Sequence, residues 1–451
     1  MRLIKSLVLA ISALSLASVI DTSNASACGG CIVVETENTQ VSSHRMILSI
    51  SNTQTTLWDQ IKYTGNPSSF AWVLPIKGQV DIGLSSDAMF ETLDVLTQTT
   101  ISSPVINCGS PCGPFAGGSD SNGGSTGSGG GGVVVIAEKV VGPYATVQLA
   151  ANDPAALKDW LTMNGYFLPA DVAPVVDAYL AEGFGFLAMK LVPGQGIDSM
   201  RPVRVTSPGA VPTLPLRMVA AGTGAITPIT LFVMGEGRYD PTNFPTFEVD
   251  PNKLIWNWDT SSSNYKDLRA EGFATANGKT WLMEAAEPMS SYSIEWPLKD
   301  LVTYDQPNSG YGDDMGLMAS EELTADLEAL YGTLDPNSFW VSRMYAELPR
   351  SALATDLIIG AAANQANVTR YFQVNQTVGT APSCPPQPAC PDPPDSNNDD
   401  TWNGYWGPDG QANGGGGGCS MGGVSGTESA LSVLGLSFAL MVSRRRRRSA
   451  R

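Results

Sequence analysis

The chain carries one histidine, His44, and acid–base chemistry near neutral pH would have to begin from it. A Ser-His-Asp mechanism built on His44 needs a positioned nucleophile, and no serine motif supplies one convincingly. Gly123-Gly124-Ser125-Thr126-Gly127 spells the Gly-x-Ser-x-Gly of a nucleophile elbow, yet it falls in a Gly/Ser-rich run and not at a strand-to-helix turn. Ser263 and Lys266 stand at Ser-x-x-Lys spacing, in which the amine helps take the serine proton; the Ser-Asp-Asn and Lys-Thr-Gly elements that accompany that chemistry are absent. Asp259, Ser261 and Ser263 form an Asp-x-Ser-x-Ser arrangement that could set one carboxylate and two hydroxyls on a divalent cation, calcium foremost. That role wants a buried parallel strand just ahead, and Ile255, Trp256, Asn257 and Trp258 make a poor one; a turn-rich loop is the plainer reading. Residues 395–400 open like a calcium loop, but Asp400 takes the glycine position and Trp406 that of the bidentate glutamate. Asp313/Asp314 and Glu321/Glu322 are adjacent in sequence, so their side chains diverge and decorate a surface. Ten tryptophans, Trp256, Trp258, Trp281, Trp296 and Trp340 among them, could line a glycan or peptide groove or simply fill a core. No catalytic residue and no cofactor other than calcium is expected.

Seven cysteines fall as Cys28/Cys31, Cys108/Cys112, Cys384/Cys390 and the single Cys419. In an exported chain the close pairs read as three local disulfides. Zinc is the alternative, but a structural site takes four ligands and only His44 is available to supplement the thiolates.

The elements that must position these groups read as strands at 46–50, 57–63 around Asp59, and 70–76, with turns at 51–53 and 65–67. Ser86 predicts an N-cap, and Met89, Phe90, Leu93 and Leu96 follow helical spacing to about Thr99. Further strands are expected at 133–137, 144–149, 184–192, 202–205, 215–220 and 229–234. Helices are expected from Asp153-Pro154 to about Met163, over 171–182 ending at Gly183, and over 321–331, with 339–348 extended. After Pro241 a Trp- and Asn-rich stretch shows no clear period. The fold class is α+β, mostly antiparallel strands with inserted helices, without the alternation of a doubly wound sheet. Apolar runs ending at Pro75 and Pro193 hint at two related halves.

Both ends carry processing signals. Arg2 and Lys5 precede an apolar run, and Ala25-Ser26-Ala27 closes residues 1–27 as a signal peptide, leaving Cys28 at the mature N-terminus. Lipidation of Cys28 is the rival reading, against which Ala25 stands where a leucine is usual. The globular body spans 28–375 with a Gly/Ser-rich insertion at 108–132, and 376–418 is a Pro/Asn/Asp/Gly-rich stalk expected to be disordered. Residues 419–451 hold Cys419, an apolar segment at 430–442, and Arg444, Arg445, Arg446, Arg447 and Arg448. Thirteen apolar residues rise only about 20 Å as a helix, short of a bilayer core of roughly 30 Å, so a processed sorting signal fits better than an uncleaved transmembrane anchor. The arginines would hold the extreme end on the cytoplasmic side. The whole chain has a formal charge of −17, and both ends are basic, so the body is more acidic still. That excludes the basic footprint nucleic acid or anionic lipid demands.

The tail, Gly418 onward, resembles the MYXO-CTERM sorting domain of myxobacterial and related proteins, which implies cleavage and cell-surface anchoring. Ala27-Cys28-Gly29-Gly30-Cys31, Phe70-Ala71-Trp72-Val73-Leu74-Pro75-Ile76 and Ser85-Ser86-Asp87-Ala88-Met89-Phe90 resemble domain-of-unknown-function family 2330, a group of bacterial exported proteins. Val141-Gly142-Pro143-Tyr144, Trp160-Leu161-Thr162-Met163-Asn164-Gly165-Tyr166 and Ala181-Glu182-Gly183-Phe184 continue the likeness, which spans about 28–370. It implies location and no catalytic residues.

The expectation is therefore an exported protein held at the cell surface or outer envelope by its tail, with a non-enzymatic binding or structural role. The alternatives are an exported carboxylate-dependent hydrolase and a calcium-dependent adhesin. Partners would be the export and sorting machinery, the envelope membrane through the tail, and an extracellular protein or glycan, with no nucleic acid.

Overall fold

Alternation in the apolar sequence builds two sheets that share one interface. The computed structural model describes residues 31–33, 40–64, 70–106, 139–149, 155–192 apart from 167, 169 and 171, 199–220, and 224–384 apart from 314. The signal segment 1–27, the insertion 108–132, the stalk beyond Cys384 and the tail 419–451 lie outside the described residues, as do the expected turn at 65–67, the strand at 133–137 and Asp153-Pro154.

In chain order the strands begin β1 Cys31–Val33, β2 Gln40–Ile50, β3 Gln54–Thr64, β4 Phe70–Ile76, β5 Asp81–Leu84, β6 Thr100–Ser102 and β7 Lys139–Val141. There follow β8 Tyr144–Leu149, β9 Gly185–Leu191, β10 Val203–Pro208, β11 Thr213–Leu214, β12 Ile226–Gly235, β13 Tyr239–Pro241 and β14 Thr246–Phe247. The last are β15 Ile255–Asn257, β16 Ser262–Ser263, β17 Trp281–Met289, β18 Phe339–Pro349, β19 Leu357–Ala361, β20 Tyr371–Gln373 and β21 Gln376–Val378. The helices are α1 Asp87–Thr97, α2 Ala156–Met163, α3 Ala173–Ala181, α4 Leu216–Val219, α5 Tyr265–Thr275, α6 Ser291–Tyr304, α7 Gln306–Ser309 and α8 Ala319–Tyr331.

The larger sheet has eight strands in the order β14-β17-β18-β12-β2-β3-β10-β5. Its β12/β2 and β14/β17 pairs are parallel and the rest antiparallel. The fold is thus α+β with strands predominating, and its sheets are mixed, not purely antiparallel. Because successive side chains in a strand point to opposite faces, Met46, Leu48 and Ile50 of β2 and Ile229, Leu231 and Val233 of β12 enter one core. Ile47, Phe232 and Met234 enter another, covered by α1, α6 and α8. Each such side chain stabilises by roughly 1.5–3 kcal/mol when fully buried, so a one-residue slip of either strand would invert both cores.

The second sheet runs β1-β4-β9-β8-β7. Trp72, Leu74, Leu187 and Met189 face Val203 and Val205 of β10, while Ala71, Val73, Phe186 and Ala188 face α2 and α3. The two Pro-ended apolar runs of the sequence supply β4 and β9, adjacent and antiparallel, with Leu74 opposite Leu187.

Local signals account for most boundaries. Ser86 caps α1 with its hydroxyl accepting the Ala88 N–H at 3.0 Å, and Gly183 follows α3 at φ +79°, a left-handed value glycine adopts without a Cβ clash. The strand expected at 215–220 is instead the single helical turn α4. Pro215 fixes its start, and Leu216 and Val219, three apart, reach the large core together while Met218 reaches the helix-covered face of the second sheet. A short apolar run does not distinguish strand from buried turn by period. The body also extends past 375, since β21 pairs in parallel with β15. Among the described residues no helix is long and apolar enough to cross a membrane.

Candidate functional site

β2 and β3 form a long antiparallel ladder in which Met46 faces Asp59 and His44 faces Ile61. His44 and Asp59 therefore share a face, and His44 Nδ1 lies 3.3 Å from Asp59 Oδ1. His44 is 1% exposed. In the tautomer that donates Nδ1–H to the carboxylate, Nε2 is left as an acceptor, and it has no protein partner. Thr227 lies on the same face, two residues before Ile229, the parallel register partner of His44, and its buried hydroxyl is likewise without a partner. Asp59 also lines a recess between the two sheets, walled by Met46, Leu57, Trp72, Leu214 and Leu216. Among the described residues the rest of its lining is apolar, so the Asp59 carboxylate is the one charged group it presents. The single histidine thus lies in the interior.

A second polar centre was not anticipated from sequence. Asp326 on α8 is fully buried and accepts from four donors. Oδ1 takes Trp58 Nε1 at 2.6 Å and Arg204 Nη1 at 3.1 Å, and Oδ2 takes Tyr311 Oη at 2.8 Å and the Ser85 hydroxyl. Burial pushes its carboxyl up, against the pull of Arg204 and the three neutral donors. Burial, reinforced by Asp326, holds the Tyr311 phenol well above its usual range. One turn earlier Glu322 binds Arg201 Nη2 at 2.6 Å and the Gly312 N–H at 2.7 Å. The signal was present: Leu323, Leu327 and Leu330 mark the apolar stripe of α8, and Asp326 sits within it.

A third cluster ties α1 to the sheet. Asp94 accepts from Arg343 Nη1 at 2.7 Å and from Arg45, while Arg343 Nε donates to Glu284 at 2.7 Å and Arg45 Nε to Gln60 at 2.5 Å. Burial works against the Arg343 charge, and Glu284 and Asp94 more than offset it.

The predicted metal residues sit at the β15–β16 hairpin, an antiparallel turn and not the end of a buried parallel strand. Asp259 Oδ1 accepts the Thr380 N–H at 3.2 Å, Ser261 holds a φ of +50°, and Ser263 Oγ accepts the Tyr265 N–H at 3.4 Å. Of the paired carboxylates, Glu322 makes the ion pair above, Glu321 is exposed, and Asp313 caps the N–H groups of Met315 and Leu317. Among the described residues the tryptophans singled out stand in different settings: Trp281 is fully buried, Trp256 and Trp258 meet edge-on at 6.2 Å, Trp340 is half-buried and Trp296 is half exposed. Cys31 opens β1, and Cys384, the last described residue, is disulfide-bonded. Cys28, Cys108, Cys112, Cys390, Cys419 and the arginine run lie outside the described residues.

These features define an α+β body whose interior charges are held by one another. The chain belongs to the family described as "Uncharacterized protein conserved in bacteria (DUF2330)", whose sequence model matches residues 22–296. The match ends within α6, although β18 and α8 beyond it complete the main sheet and its helical cover. No curated protein matches the chain. Among solved structures it is similar to baculovirus P35, at 9% identity and a TM-score of 0.26 over 46% of this chain and 68% of that one, a likeness that carries no functional argument.

Proposed function

We propose that the protein is exported and tethered at the cell surface through its C-terminal tail, where its body acts as a non-enzymatic binding or structural module. The observation that carries the molecular half of this reading is the engagement of acids at the two polar centres: buried Asp326 holds four donors, and buried Glu284 and half-buried Asp94 are locked to Arg343. Carboxylates so engaged cement helices to sheet, with their oxygens taken by donors of the protein itself. A carboxylate-dependent hydrolase would need two acids about 5–10 Å apart in one pocket, whereas the recess beside His44 is lined by the single acid Asp59. The tethering half rests on the signal-like 1–27 segment and on Cys419, the apolar run and the arginines from Arg444 to Arg448.

Cell fractionation with intact-mass analysis of the native protein tests location: loss of residues 1–27 and recovery with the envelope are expected, and full-length protein free in the cytosol with reduced cysteines would overturn it. A hydrolase panel tests activity. Turnover that disappears on changing Ser263 or one acidic residue would refute the non-enzymatic role.

A further inference from the structure

Large apolar side chains left at the surface are scattered singly over most of the body, as is normal. Residues 292–318 are the exception: Tyr292, Trp296, Tyr304, Met315, Leu317 and Met318 are each at least half exposed. Tyr292, Trp296, Asp300 and Tyr304 recur every four residues along α6, so they form one stripe about 18 Å long on its outer side. The opposite side of the helix, Ile294, Leu298 and Val302, is fully buried against the sheet. The stripe leads at its C-terminal end into α7 and the loop bearing the methionines, where Gly316 packs against Gln306 closely enough that a Cβ would meet it at 2.6 Å.

The charge on this face is one-sided. Asp300 stands between Trp296 and Tyr304, and neither it nor Glu321 has a side-chain partner among the described residues. Asp313 carries no cation either, only backbone N–H groups. The one cation of α6, Lys299, is already paired with Glu295. A carboxylate flanked by aromatic faces is the surface chemistry that takes a guanidinium or ammonium, through an ion pair and cation–π contact together. Methionine adds an apolar surface that adapts to the shape laid on it.

We infer that this face docks a partner's amphipathic helix, three to four turns long, with an apolar stripe and Arg or Lys beside it. The inference deepens the binding role proposed above and rests on it. Neither nucleic acid nor anionic lipid answers to an apolar face rimmed by free carboxylates, whereas a cationic helix matches both features.

The test uses the full chain and a labelled 14-residue Leu/Lys amphipathic peptide, read by fluorescence anisotropy at low and high salt. A Leu/Glu peptide of the same pattern, a Lys/Ser peptide without an apolar face, and neutral phosphatidylcholine vesicles are the comparisons. Binding of the Leu/Lys peptide alone is expected, weakened about tenfold or more by Trp296→Ala. Asp300→Asn should weaken it several-fold and flatten its salt dependence, and Ile358→Ser, on an exposed strand elsewhere, should leave it unchanged. Both Asp300 and Tyr304 point to solvent, so Asp300→Asn and Tyr304→Ser carry the test if Trp296→Ala disturbs the fold. Equal binding of the Leu/Glu peptide, affinity unmoved by these substitutions, or capture of neutral vesicles in place of the peptide would overturn the inference. Such a failure leaves fractionation and turnover unaffected, so it is separable from failure of the proposed function.

Discussion

Replacing Asp326 with alanine removes the acceptor on which Trp58, Ser85, Arg204 and Tyr311 converge, and the arrangement of those donors sets the size of the effect. An orphaned buried donor costs roughly 1–3 kcal/mol, and breaking a buried ion pair from one side costs roughly 3–5 kcal/mol. The Ser85 and Tyr311 hydroxyls can rotate and water can enter the space left, so the contributions do not add in full. A loss of about 5 kcal/mol is expected, comparable with the total of about 5–15 kcal/mol for a folded domain. Asp326→Asn should be milder, about 2–3 kcal/mol by the same reasoning. Its carbonyl can stay where Oδ1 serves the two obligate donors, Trp58 and Arg204, while its amide donates to the two hydroxyls that can reverse roles. What remains lost is the charge opposite Arg204, so Arg204→Met in the asparagine background should recover part of the deficit. Equilibrium urea unfolding followed by tryptophan fluorescence measures all four proteins. If alanine costs under about 1 kcal/mol, or asparagine costs as much as alanine, the hub is not holding the fold as argued.

Three further outcomes follow from particular contacts. Gly312→Ala should destabilise by at least about 2 kcal/mol, because φ is +75° and the new Cβ would lie 2.3 Å from the Leu317 carbonyl oxygen and 2.9 Å from the Ala319 nitrogen, backbone atoms that cannot swing aside; unfolding curves check it. Since burial raises the Asp326 carboxyl, its contribution to stability is full below the ordinary aspartate value near 3.9 and is lost as pH rises through the raised value. The wild type should show that falling segment in stability against pH, and Asp326→Asn should lack it. Arg217, bonded to Glu182 and Asp356, holds the Glu182 carboxyl below its usual range, so that pair contributes above about pH 4.3 and is lost as pH falls through the lower value. Arg217→Ala should remove this acid-side segment, read from the same curves.

The strands with clean alternation were legible before any coordinates: the expected strands at 46–50, 57–63 and 70–76 lie within β2, β3 and β4, and 229–234 within β12. α1 and its Ser86 cap were equally plain. The sequence from Pro241 to about 304 was not, although it supplies β17, a strand of the main sheet, and α6. In β17 the run from Trp281 to Ala286 is buried on both faces, so no period of two is left to read. α6 is interrupted by Pro297, which argues locally against helix, while Ile294, Leu298 and Val302 hold it against the sheet regardless. The parallel β12/β2 pair was out of reach as well, because register between strands some 180 residues apart is set by packing, not by local pattern.

Asp326 stood out within the apolar stripe of α8, but the partners of the polar centres were illegible for a related reason, and that reason bears on what the surface presents. Arg45, Arg201, Arg204, Arg217, Arg238, Arg269, Arg343 and Arg370 each pair with a carboxylate, and none of these arginine side chains is more than 26% exposed. Their partners mostly lie tens to hundreds of residues away, so spacing in the sequence announces nothing. Each of these arginines takes at least one carboxylate with it, so the excess of 43 acidic over 26 basic residues is left to groups outside these pairs. Isolated surface pairs of this kind add little to stability, but half-buried ones desolvate the cation and deny it to solvent. The carboxylate of Asp300, set between Trp296 and Tyr304 and unpaired among the described residues, is then a local expression of that excess, and it is the group through which the proposed docking face would select a cationic partner.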